Sequence, residues 1–194
     1  MSTIFISYRH QDIAIVRRLH DRISDGFRQW PKNVSLFMPV STIQPGADWR
    51  DHLGPLQSSD VLLVVITEDW LAHVDRCFKD PEDHVRIEIE SALSRRIPVV
   101  PVLVDQAMMP TEKDLPAHLK ELACFHADRV RSKAQVFDSD VERLIARLSS
   151  ELRRTEQSSV PVQVRDLDRL TKVRPDWIIG VWRPSVRIWR LGSL

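Results

Sequence analysis

Glycine is scarce in this chain, with five in 194 residues. Neither G-x-x-x-x-G-K-S/T nor G-x-G-x-x-G occurs, which excludes a glycine-rich cradle where bare backbone closes on phosphates. The G-x-S-x-G elbow of serine hydrolases is also absent. Cysteine is scarcer still. Cys77 and Cys124 cannot build a disulfide framework, and no pair stands at ligand spacing. The histidines are scattered without an H-E-x-x-H, so no metal is expected. No run of about 18 apolar residues occurs. The opening MSTIFISYRH is broken by Arg9 and His10 before it reaches the length of a signal-peptide core. A reducing cytoplasm, away from membranes, is therefore the expected location. Excess charge of one sign is missing too: 28 basic residues against 27 acidic ones leave +1, so bulk charge gives no reason to expect nucleic acid or lipid as a partner.

What is present is an alternation of apolar runs and helical periods, in a chain 43% hydrophobic and 28% charged, the profile of a globular protein. Thr3 to Ser7 reads as a buried strand. Asp12 is placed to cap a helix whose stripe is Ile13, Val16, Leu19, Ile23 and Phe27. Val34 to Met38 is a second strand, followed by a loop with Pro39, Pro45 and Gly46 and a helix from about Asp48 to Gln57. Asp60 to Ile66 is apolar without alternation, the mark of a strand covered on both faces in a parallel sheet. Thr67 to Val74 is expected to form a short helical turn. Asp80-Pro81-Glu82-Asp83 looks like a helix start, with Asp80 as cap and Pro81 at the first helical position. Ile97 to Val104 is a fourth strand whose prolines predict irregular pairing or a place near an edge. Leu115 to Leu122 reads as a short helix and Ala123 to Ala127 as a weak fifth strand. Val141, Leu144, Ile145, Leu148 and Leu152 mark a final helix.

This order predicts an α/β fold: a doubly wound, five-stranded parallel sheet of the flavodoxin-like kind, with a short carboxyl-terminal extension. Ligands of such sheets bind beyond the carboxyl ends of the strands, near the switch in strand order. Residues 1–153 form the expected domain. Residues 154–165, polar with a proline, read as a linker. Residues 166–194 form a basic extension containing Trp177, Trp182 and Trp189, too short for a core of its own. Basic residues interleaved with tryptophan can bind nucleic acid, but the stretch and its charge excess are small, and none is expected here.

The segment Asp83 to Leu93, DHVRIEIESAL, carries the residue of greatest interest. On a 3.6-residue period Val85, Ile89, Ala92 and Leu93 share one side. Glu88 lies about 60° from the middle of that stripe, and Glu90 about 160° from it. A carboxylate at a core margin is either a flank acid paired with an arginine or a group used on a ligand.

Several boxes resemble the Toll/interleukin-receptor (TIR) domain family, in its bacterial form. They are Phe5-Ile6-Ser7-Tyr8-Arg9 with Asp12; Leu36-Phe37-Met38 followed by Ile43-Gln44-Pro45-Gly46; Ser59 to Ile66; and Glu88-Ile89 with Ala92-Leu93 ahead of Ile97 to Val102. The resemblance covers residues 1 to about 150. It implies cleavage of NAD+ at the nicotinamide-ribose bond, with NAD+ as substrate and no cofactor, and Glu88 at the catalytic position. It further implies self-association through the Pro39–Asp48 loop, with other TIR domains as further partners, in signalling or defence. Tyr8 would stack on a ring, and Arg9 and His10 would face phosphates, unless Arg9 is a solvated loop-end residue. Gly46 serves a turn and Trp49 lines the pocket or the core; Trp70 reads as packing. Two departures stand out. Pro39 and Ser41 occupy positions where enzymatic relatives carry acids, and His84-Val85 replaces an aromatic pair ahead of the glutamate. A non-catalytic TIR scaffold is the alternative, and a deoxyribosyltransferase-like enzyme a more distant one.

Overall fold

The computed structural model describes residues 1–30, 33–39, 53–70 and 83–159. Five strands form one parallel sheet: β1 (Ser2–Ser7), β2 (Val34–Phe37), β3 (Val61–Ile66), β4 (Val99–Val104) and β5 (Asp128–Val130). Their spatial order is β2-β1-β3-β4-β5, so the chain leaves β1 in opposite directions and the switch falls between β1 and β3. The expected doubly wound, flavodoxin-like architecture is the one observed.

Helices cover both faces, as the continuous burial of β3 and β4 demands. Alternation sorts the strand residues. Ile4, Ile6, Val61, Leu63, Val100 and Val102 face α1 (Ile13–Phe27) and α4 (Ala134–Ser159). Phe5, Leu62, Val64, Ile66, Val99 and Leu103 face α2 (Leu53–Gln57) and α3 (His84–Ser94). The stripe of α1 is buried as its spacing requires, through Val16, Leu19, Ile23 and Phe27. Gly26 lets α4 approach closely: a Cβ there would stand 2.4 Å from Ile145 Cδ1.

Several local expectations need correction. Asp12 sits at the amino end of α1 but makes no side-chain cap; its carboxylate instead accepts the Thr67 hydroxyl at 3.1 Å. The cap of α3 is Asp83, three residues beyond the expected Asp80, because its carboxylate accepts the Arg86 amide. The fifth strand lies at Asp128–Val130, after a 3-10 helix over Ala117–Cys124. The final helix runs to Ser159, so residues 154–159 are helix where a linker was expected. The extension from Val160 onward, with Trp177, Trp182 and Trp189, lies outside the described residues.

β4 lies next to the edge strand β5, as its prolines lead one to expect. It pairs with β3 on one side and β5 on the other. The Leu62 amide donates to the Pro98 carbonyl, so even-numbered residues of β4 bond toward β3 and Pro101 turns its nitrogen toward β5. Pairing with β5 begins only at Val102, one residue later, so no ladder bond is lost.

Asp140 fastens α4 to the exit of β5. Its carboxylate is 1% exposed and accepts the Arg131 amide, both ends of the Arg131 fork and Arg143 Nη2, at 2.8–3.0 Å. The Arg131 hydrogen bonds hold its pKa well below the ordinary 3.8, with burial opposing them. A depressed folded value means stability that is present above pH 3.8 and lost as pH falls through the folded value. Asp140→Asn should cost roughly 1–3 kcal/mol at neutral pH. It should also flatten the acid limb below pH 3.8 in urea unfolding; an acid limb as steep as the parent's would contradict this assignment.

Candidate functional site

The carboxyl-terminal edge of β1 delivers Ser7, Tyr8 and Arg9 to the β1/β3 switch, and β3 delivers Thr67. The helix α3 packs across this edge on the Phe5 side, burying Val85, Glu88, Ile89 and Ala92. Glu88 thus points inward with the stripe. Glu90 points away, near Arg86 and His118 at 3.8 and 3.9 Å, as its helical phase requires.

Glu88 is 7% exposed, and among the described residues it forms no ion pair. Burial pushes its pKa from 4.5 up to about 8. The Ser7 hydroxyl opposes that rise, Asp83 adds to it, and Arg9 opposes it more weakly. Ser7 shares the face of Phe5 by alternation, which puts its hydroxyl under α3. The Ser7 Oγ is fully buried and lies against the carboxyl without completing a hydrogen bond of good geometry. The arrangement is therefore an acid removed from water with one weak polar neighbour, the environment in which a carboxyl keeps its proton.

The other residues singled out in the sequence are placed as follows. Arg9 is not a solvated loop-end residue. It holds Asp83 through a two-pronged ion pair at 2.7 and 2.9 Å, with side chains 11% and 3% exposed. Tyr8 follows Ile4 and Ile6 onto the α1 face and is buried there, which removes its ring from stacking; its hydroxyl donates to the Pro39 carbonyl at 2.7 Å and anchors the chain leaving β2. Burial raises the Tyr8 pKa, Glu88 raises it further and Arg17 opposes. His10 and His84 are exposed at the rim. Trp70 is fully buried on the α3 side, in keeping with its reading as packing. Ser41, Gly46 and Trp49 lie outside the described residues, as does most of the Pro39–Asp48 loop.

Two residues with a part in the site carried no role in the sequence reading. Ser7 was visible only as the last residue of a strand box. Asp83 was visible as one acid among three, although its spacing to Arg86 is that of a cap. A separate open cleft lies at the same sheet edge on the α1 side, lined by Ile15, Thr67, Glu68, Asp69, Asp105 and Ser132. Hydrogen bonds from Ser132 lower the Asp105 pKa, so this cleft disfavours phosphates. Among the described residues no group of His, Cys, Asp and Glu is arranged to hold a metal, and no helix is long and apolar enough to cross a membrane.

The sign of the Glu88 shift has a consequence for stability. Between pH 4.5 and about 8 the unfolded chain releases this proton while the folded chain keeps it. Stability therefore falls across that window, by up to roughly 1.4 kcal/mol per pH unit, and stops falling above it. Glu88→Gln removes the titration. Its melting temperature should exceed the parent's at pH 8 and approach it at pH 4.5. Calorimetry at the two pH values checks this, and an offset that does not change with pH would count against a desolvated acid.

Comparison with known proteins agrees with the fold. No curated protein matches the sequence. Among solved structures, the TIR domains of the activated Roq1 resistosome directly recognizing the pathogen effector XopQ superpose with a TM-score of 0.51 at 13% identity, over 75% of this chain and 98% of that one. The sequence profile of the TIR domain matches residues 4–145, a span that takes in every strand from the body of β1 to β5 together with Glu88, and the chain belongs to the TIR domain family.

Proposed function

We propose that this TIR domain is an NAD+ glycohydrolase in which Glu88 is the catalytic residue. The observation that carries the reading is the carboxyl itself: buried, without an ion pair among the described residues, and aimed at the sheet edge where doubly wound folds bind ligands. Holding such a group costs stability, and structural duty gives no return for that cost.

The chemistry suits one acid. Ordinary glycosides need a second carboxyl to protonate the leaving group. Nicotinamide bonded to ribose is already cationic, so when the carbon–nitrogen bond breaks its electron pair stays on the ring nitrogen and the base departs neutral. What remains is an oxocarbenium-like centre, which a nearby carboxylate stabilises while hydrogen-bonding the ribose hydroxyls. Water then attacks the ribose carbon and its proton passes to the carboxylate or to solvent, giving ADP-ribose. Capture by a nucleophile of the same molecule gives a cyclic isomer. Glu88 holds its proton in the free protein up to about pH 8. The cationic nicotinamide ring favours the ionised form, so substrate binding expels the proton.

Self-association through the Pro39–Asp48 loop, a cytoplasmic setting and a place in signalling or defence belong to this same reading. One set of observations favours the scaffold alternative. Pro39 and Ser41 stand where acids are expected, Arg9 is engaged by Asp83, and Tyr8 is turned into the core, so fewer groups are left to hold a dinucleotide. Turnover by concentrated protein decides between the two. Nicotinamide release from NAD+, followed by mass spectrometry, should have a kcat/KM that climbs with pH toward about 8. Glu88→Ala should abolish release and leave the circular dichroism spectrum intact. Oligomers by light scattering with no release at any concentration would replace the enzyme with the scaffold.

A further inference from the structure

The Arg9–Asp83 pair stands beside Glu88 without touching it, and its geometry suggests a specific duty. Asp83 performs two tasks with one carboxylate. Its Oδ1 accepts the Arg86 amide at 3.3 Å and closes the first turn of α3. The same oxygen and its twin take both prongs of the Arg9 guanidinium at 2.7 and 2.9 Å. Arg9 follows β1 by two residues, and Glu88 follows Asp83 by five. A planar fork meeting a carboxylate fixes both distance and orientation, which a lysine in its place does not. We propose that Arg9 and Asp83 are positioning residues for Glu88, clamping the first turn of α3 to the exit of β1 so that the Glu88 carboxyl is held against Ser7.

Energetics favour a positional duty over a stabilising one. An ion pair this deeply buried gives up hydration that its attraction only about balances, and apolar replacements of such pairs are often neutral. What the pair supplies is register between two elements separated by 74 residues in the chain. Its neutrality matters as well. Asp83 alone would push Glu88 further toward its protonated form, and Arg9 alone would pull it toward the ionised form. Clamped together, they leave burial as the dominant influence, with the Ser7 hydroxyl opposing and Tyr8 as the remaining titratable neighbour from β1.

This inference deepens the glycohydrolase reading, and its test separates the two. In the full-length chain, the Glu88 carboxyl is followed by carbon-detected NMR titration, which needs no turnover. Arg9→Gln should raise the Glu88 midpoint, and Asp83→Asn, which keeps an acceptor for the Arg86 amide, should lower it. The double variant should return toward the parent. Midpoints that stay put, or move the same way in both single variants, overturn the proposal whether or not the protein cleaves NAD+. Where cleavage is observed, each single variant should lose at least tenfold in kcat with KM changed far less. Arg9→Lys, the gentler change should Arg9→Gln fail to fold, should keep the midpoint and still lose kcat; full activity there would show that the fork has no positioning role.

Discussion

A carboxyl group taken out of water must find a cation or keep its proton, and most of what is distinctive here follows from how that choice is made at two positions. Asp140 finds cations: two arginines surround it, it stays ionised, and it joins α4 to the end of β5. Glu88 finds none, and burial holds it protonated up to about pH 8. The same functional group is thus an ionised rivet in one place and a buried, protonated acid in the other. The cation whose charge Glu88 feels is Arg9, and that arginine is engaged by Asp83. Had Arg9 paired with Glu88, the acid would be ionised and structural, as the sequence alone allowed.

The sheet makes this possible by keeping its two faces distinct. Consecutive residues at the end of β1 are sent to different duties: Ser7 under α3 beside the acid, and Tyr8 into the core beneath α1, where it ties down the start of the β2 loop through Pro39. The loop that the TIR resemblance makes the assembly contact is thereby anchored one residue away from the strand that supports Glu88. Tyr8 in turn feels the charge of Glu88, which raises its pKa.

The first four strands, the α1 stripe and the inward phase of Glu88 were legible because they depend on local period, which sequence displays directly. The fate of Tyr8 was legible in principle: Ile4, Ile6 and Tyr8 share one parity, which sends all three to the α1 face. The Arg9–Asp83 pair was not legible, since 74 residues separate its members and either could have been a solvated charge. The cap of α3 was misplaced because Asp80-Pro81 has the stronger local signature, whereas Asp83 is selected by a tertiary partner. The length of α4 was underestimated for a related reason. Polar residues ending in serine resemble a linker, yet the helix anchored by buried Leu152 continues through them.

Pro101 has an effect beyond its own strand. β5 is three residues long, so among the described residues the first half of β4 has no strand beside it on that flank. An exposed run of backbone donors there would invite a foreign strand to extend the sheet, the common route to uncontrolled aggregation. A proline whose nitrogen faces that gap offers no hydrogen to such an intruder. That flank of the sheet is thereby a poorer template for a foreign strand than an unbroken row of amides would be.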